Sequence, residues 1–236
     1  MELYPGHRLS EAEAAGHMNI LFISSTEPLA VALTWILLIL SQLPKLRSSL
    51  REELHDVVGS ASPSEAQLER LMLLHDVINE TLRLFPPNAF MVRITSQPVT
   101  LGSFQLPAGC EVILCPFLSH RDSAIFDQPG HFRPSRWKTA RPSPFVYFPF
   151  GAGGHACIGR NLAMRIMKIT LAFILPRFDI ALFGDQEIDW RLNIQMMPGS
   201  DPAVMLHPVN ETFPRQYQPG RLGGPVAGLV NFEKVS

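Results

Sequence analysis

The 236 residues carry 20 Lys+Arg against 21 Asp+Glu, a formal net charge of −1 with no basic run, which excludes a nucleic-acid-binding surface. A hydrophobic share of 46% against 17% charged residues supplies a sizeable core and excludes a disordered chain. Three cysteines (Cys110, Cys115, Cys157) are too few for a disulfide scaffold and favour a reducing compartment.

After Met1-Glu-Leu-Tyr-Pro-Gly6, residues 9–43 read as one long helix, with Ser10 as N-cap and Glu11 and Glu13 in its first turn. Residues 18–40 approach the length of a membrane span, but Glu27 and Pro28 sit near their centre. An acid there costs roughly 3 kcal/mol on insertion scales, so a core helix that needs partner elements is the better reading. Pro44 ends it, and residues 45–58 form a short amphipathic helix stopped by Gly59. A further helix is expected from about 65 to 85, entered at Ser62-Pro-Ser-Glu65. Its apolar side carries Leu68, Leu71, Met72, Val77, Ile78 and Leu82, and Pro86-Pro87 stops it.

Residues 90–115 change character: short β-type runs are broken by Leu101-Gly102 and Pro107-Ala-Gly109, the punctuation of hairpins. Residues 116–149 carry Pro, His, Arg and aromatic side chains without a period and read as ordered irregular structure. Residues 158–175 are helical again. Beyond Pro176 come strand-like pieces at 177–183 and 191–197, a Pro/Gly turn, and a last strand at 203–206. Residues 209–236, polar and rich in Gly and Pro, are expected to form a tail outside the folded part, residues 1–208.

The chemistry gathers in Phe150-Gly-Ala-Gly-Gly-His-Ala-Cys157-Ile-Gly159. Gly151, Gly153 and Gly154 allow positive φ and close approach of backbone to a flat ligand. Gly159 opens a helix, whose free N–H groups and macrodipole favour negative charge on the Cys157 sulfur. His155 offers a hydrogen bond or a positive charge beside it. Such a loop fits a thiolate ligand to haem iron, a phosphate loop or a structural turn. The missing Gly-Lys-Ser/Thr disfavours phosphate, and the lack of Cys-x-x-Cys spacing disfavours zinc.

Two further segments narrow the choice. Glu80 and Arg83 stand i,i+3 on one helix face and can pair, and Arg136 in Phe132-Arg-Pro-Ser-Arg136-Trp137 can join them with bidentate geometry. Read alone, they are a solvated pair. Together with the cysteine loop, in this order and spacing, they resemble the Phe-x-x-Gly-x-x-x-Cys-x-Gly, Glu-x-x-Arg and Phe-x-Pro-x-Arg signatures of the cytochrome P450 family over about residues 9–208. His155 stands where most members carry another basic residue. The resemblance implies a mainly α fold with small β-sheets, the C-terminal half of that architecture. Its parts are a long distal helix, the Glu-x-x-Arg helix, a meander, the cysteine loop and the helix after it. It also implies haem b (iron protoporphyrin IX) bound through Cys157, with Phe150, Gly151, Gly159 and His155 around it. Arg93 would reach a haem propionate, since buried carboxylates need cations, and His120 would sit in a region that approaches the haem.

By the same resemblance the first helix crosses the distal haem face. Aligned on Ala32-Leu-Thr-Trp35, the acid of the family's acid–alcohol pair is kept as catalytic Glu27, and the alcohol is replaced by Pro28. That pair relays protons during dioxygen activation, which proline cannot do. Pro28 also frees the carbonyl of Ser24 and kinks the helix, while Ser25, Thr26 or a substrate hydroxyl could substitute. Substrate contacts are expected from Phe22, Ile23, residues 88–92 and 196–200, which suits a hydrophobic small molecule. The implied activity is a monooxygenase drawing electrons from a partner such as NADPH-P450 reductase. Pro28 keeps open an isomerase, dehydratase or peroxide-driven enzyme, and a non-catalytic truncated product is a third reading. The family's membrane anchor, most of its β domain and its roofing helices would lie outside this chain. Location follows from that: endoplasmic reticulum membrane for a eukaryotic full-length form, otherwise cytoplasm.

Overall fold

A computed structural model describes residues 9–209, 211 and 219–232; the opening residues Met1 to Gly6 and parts of the expected tail lie outside the described residues. Helix α1 (Glu11–Gln42) opens on a capping box in which Ser10 and Glu13 satisfy each other's backbone N–H groups, and it continues through Pro28. Its two halves differ. Met18, Ile20, Leu21, Phe22 and Ile23 are exposed, whereas Val31, Ala32, Trp35, Ile36, Leu38, Ile39 and Leu40 are buried. It is long and apolar enough to cross a membrane, but its second half is the core of this fold. Trp35 stacks on Phe85 with centroids 4.4 Å apart and donates its indole N–H to the Met196 carbonyl at 2.8 Å. These contacts tie the helix to the elements that follow it.

Helix α2 (Pro44–Val57) buries Leu46, Leu50 and Leu54, and Arg51 binds the carbonyls of Leu175 and Phe178 at 2.7 and 3.0 Å. The single helix expected over 65–85 is two, α3 (Glu65–Arg70) and α4 (Met72–Leu84). Leu71 breaks it with ψ of 81° while staying fully buried. The break is stabilised from outside: the Glu53 carboxylate of α2 accepts the free N–H groups of Leu73 and Leu74 at 2.6 and 2.9 Å. Met72, expected on the apolar face, is turned out and exposed as a result. The other five expected positions are buried.

The hairpin segment folds as expected. Strand β1 (Met91–Ile94) pairs antiparallel with β4 (Glu111–Leu114), enclosing the hairpin β2 (Val99–Leu101) and β3 (Phe104–Leu106). Gly102 and Gly109 turn at φ of 60° and 77°. The meander holds α5 (Pro116–Ser119), β5 (His131–Phe132) and a 3-10 turn at Pro134–Lys138. Helix α6 (Arg160–Ile174) follows the cysteine loop. Beyond it lie β6 (Phe178–Phe183), β7 (Gln186–Glu187), β8 (Trp190–Leu192), β9 (Met196–Pro198) and β10 (Val204–Pro208). Residues 191–197 are thus parts of two strands in a hairpin rather than one strand.

The C-terminal tail departs most from expectation. Residues 219–232 form β11 (Pro219–Gly220), β12 (Leu222–Gly223), α7 (Gly224–Ala227) and β13 (Asn231–Phe232). They pair with β6, β7 and β5 respectively for the three strands. Val226 and Val230 join the core at 1% and 4% exposure, so the folded unit does not end at residue 208.

Candidate functional site

The base of the site is Glu80, fully buried on α4. Its Oε1 accepts from Arg83 Nη2 and Arg136 Nε at 2.9 Å each and from the Arg133 N–H at 2.8 Å. Its Oε2 accepts from Arg83 Nε and Trp137 Nε1, each at 3.0 Å. Both guanidinium groups then bind meander carbonyls. Arg83 reaches His120, Pro129 and His131 at 2.8, 2.8 and 3.1 Å. Arg136 reaches Asp127 at 2.8 Å and His131 at 3.2 Å. Burial pulls the Arg136 guanidinium below its ordinary range, and the Glu80 charge opposes that pull. Glu80, Arg83 and Arg136 therefore lie together, with Trp137 and the Arg133 backbone as members that residue spacing did not reveal.

From this base the meander leads to the cysteine. Tyr147 donates its hydroxyl to the Asn79 carbonyl at 2.9 Å, and His120 Nε2 accepts the Phe148 N–H at 3.0 Å. His120 is fully buried, and desolvation takes its imidazole down to about 3, so it is neutral at pH 7. It supports the loop from behind and is absent from the cavity wall, contrary to the expectation that it approaches a ligand there. The Phe148 carbonyl accepts from Gly151 N–H at 2.9 Å, and the Phe150 carbonyl accepts from Cys157 N–H at 2.8 Å, closing the loop. Gly151 and Gly153 adopt φ of 72° and 68°; Gly154 does not use the left-handed region expected of it. A Cβ on Gly159 would come within 3.8 Å of Cys157 Sγ, so this glycine leaves the sulfur's flank open.

Cys157 is exposed on the loop and lines a cavity of about 280 Å³ between the loop and α1. Phe150, Gly151, His155 and Gly159 line the same cavity, with Leu82, Met91, Leu162, Ala163 and Ile166 as apolar walls. Opposite stand Ser24, Ser25, Pro28, Leu29 and Ala32 of α1. Arg93 is half-buried and donates to the Val92 carbonyl at 2.9 Å. Strand alternation puts it on the same face as cavity-lining Met91, two residues along β1.

Glu27 is not brought to Cys157. It is exposed and lines a separate groove with Arg191, Met197, Ser200 and Asp201. The reason is helical geometry: at about 100° per residue, positions 24, 25, 28, 29 and 32 share a face that residue 27 is turned away from by roughly 130°. Thr26 likewise does not line the cavity, and its hydroxyl donates to the Phe22 carbonyl at 2.9 Å. Of the expected substrate contacts, Asn88 and Met91 line the cavity, Phe22 and Ile23 are exposed, and Met197, Pro198 and Ser200 belong to the Glu27 groove. Helical spacing alone sets Ser24 and Ser25 toward the Pro28 face, at i−4 and i−3, and is the signal in the sequence for their place in the cavity wall.

The chemistry of the donor set fits a flat macrocyclic cofactor. A single sulfur faces an apolar slot, with a histidine in the same wall. Among the described residues no cluster of three or more His, Cys, Asp or Glu is placed to hold a metal ion. A family model for cytochrome P450 matches residues 2–205. The chain is 34% identical over 176 residues to cyclooctatin synthase of Streptomyces melanosporofaciens, covering 73% of this chain and 38% of that protein. It is 33% identical over 178 residues to the mitochondrial 25-hydroxyvitamin D-1 alpha hydroxylase of Rattus norvegicus, covering 73% and 36%. With the mitochondrial sterol 26-hydroxylase of Oryctolagus cuniculus it shares 32% over 211 residues, covering 85% and 39%. The chain belongs to the cytochrome P450 family, and it spans well under half the length of these relatives.

Proposed function

We propose that this chain is the haem-proximal part of a haem-thiolate monooxygenase that oxidises an apolar small molecule with dioxygen and electrons from a reductase. The observation that carries the reading is the exposed Cys157 sulfur facing an apolar cavity under the distal helix, on a loop anchored to the Glu80–Arg83–Arg136 cluster. Cys157 would hold the iron of haem b, the Cys-loop backbone would support the ring from below, and Arg93 and His155 would meet its propionates. Bound there, haem supplies oxidation chemistry.

The residues of the chain do the rest. Leu82, Met91, Leu162 and Ile166 exclude water and hold apolar surface. A second groove, of about 650 Å³, shares Phe150 with the cavity and mixes Arg141, Arg160, Arg165 and Lys168 with Glu65, Glu69 and Asp76. It suits a docking electron-transfer partner such as NADPH-P450 reductase. Glu27 lines another groove and so is not set over the cavity, which favours the second reading, a haem-thiolate enzyme driven by peroxide or catalysing isomerisation or dehydration. Product formation from an apolar substrate with NADPH and reductase, set against peroxide alone, separates the two. Turnover with the reductase supports the monooxygenase; turnover with peroxide only replaces it by the second reading.

A further inference from the structure

We propose that the cavity selects ligands carrying a hydrogen-bond donor, an otherwise apolar molecule with a hydroxyl, and that the backbone carbonyl of Ser24 makes that selection. The proposal rests on the reading above and adds the polarity of its substrate. In a regular helix the Ser24 carbonyl takes the N–H of residue 28. Pro28 has no N–H, and its ring crowds that same carbonyl. Ser24 and Pro28 both line the cavity, which sets this break in the hydrogen-bond ladder at its wall.

The neighbouring hydroxyls do not fill the gap with a donor. Ser24 Oγ donates to the Ile20 carbonyl at 2.6 Å, and Ser25 Oγ donates to the Phe22 carbonyl at 3.1 Å. Each hydroxyl has one proton and has spent it within the helix, keeping only lone pairs for the cavity. The α1 wall thus brings accepting oxygens from Ser24 and Ser25, and its other members, Pro28, Leu29 and Ala32, bring no side-chain donor. Glu27 faces a different groove. Asn88 and His155 can donate, but they belong to the opposite walls. An acceptor covered by a ligand that cannot donate loses its water and gains nothing, so a ligand that donates is favoured.

The test compares three probes of one shape by titration calorimetry on the haem-loaded chain: 1-adamantanol, 2-adamantanone and 1-methyladamantane. The alcohol should bind about ten-fold more tightly than the ketone, which only accepts. Pro28→Ala returns an N–H to the Ser24 carbonyl and improves helix propensity, so folding is not at risk. It should bring alcohol and ketone to within about twofold, with 1-methyladamantane in each protein as the reference that takes out the apolar surface lost with the ring. Glu27→Ala should keep the wild-type ratio. Equal binding of alcohol and ketone by the wild type, or a preference that survives Pro28→Ala, overturns the proposal. If the chain takes up no haem, the absorption spectrum reports that failure separately, and the same three probes on the haem-free chain still decide the donor preference.

Discussion

Glu80 is the residue on which the site's position depends, because one buried carboxylate gathers five donors from the helix and the meander. A buried ion cluster is weak evidence for net stability, but removing one partner strands the others' charges. Glu80→Gln is expected to lower unfolding stability by roughly 3–5 kcal/mol in urea denaturation, and to lower haem retention with it. His120 gives a pH signature. Its imidazole is held at about 3 against an ordinary 6.5, so below pH 6.5 the unfolded chain takes a proton that the folded chain refuses. Stability from this group is complete above pH 6.5 and is lost as pH falls from there toward 3, about 2 kcal/mol by pH 5. His120→Gln keeps an acceptor for the Phe148 N–H and should flatten the acid limb of a melting-temperature profile. A limb unchanged in the variant would assign the acid loss to other groups.

At the scale of elements, the cap on α4 comes from another helix. Glu53→Ala removes the carboxylate that accepts from Leu73 and Leu74, and a loss of about 1–2 kcal/mol is expected by denaturant titration. The break at Leu71 was not legible in the sequence, since its cause lies about twenty residues away on α2. The cysteine loop and the Glu80, Arg83 and Arg136 set were legible, because their residue types serve one local geometry each. Glu27 shows the limit of motif alignment: it fixed the residue's place along α1, whereas the face it presents depends on the turn of the helix relative to the cavity.

For the whole molecule, the C-terminal strap closes the fold. Pairing of β13 with β5 brings residue 231 back to residue 131, beside the carbonyls that Arg83 and Arg136 bind. Polar, Gly-rich composition concealed this, because Val226 and Val230 find their core only through partners far away in sequence. Val226→Ala is expected to cost about 1.5–3 kcal/mol, which a tail lying free of the fold would not show. The central claim, that this fold positions Cys157 to bind haem iron through its sulfur, is tested most directly by the reduced, CO-bound difference spectrum of the haem-loaded chain. A red-shifted thiolate Soret band that disappears in Cys157→Ser is the predicted result. A loaded chain with no such band, or a band that survives the substitution, would contradict it.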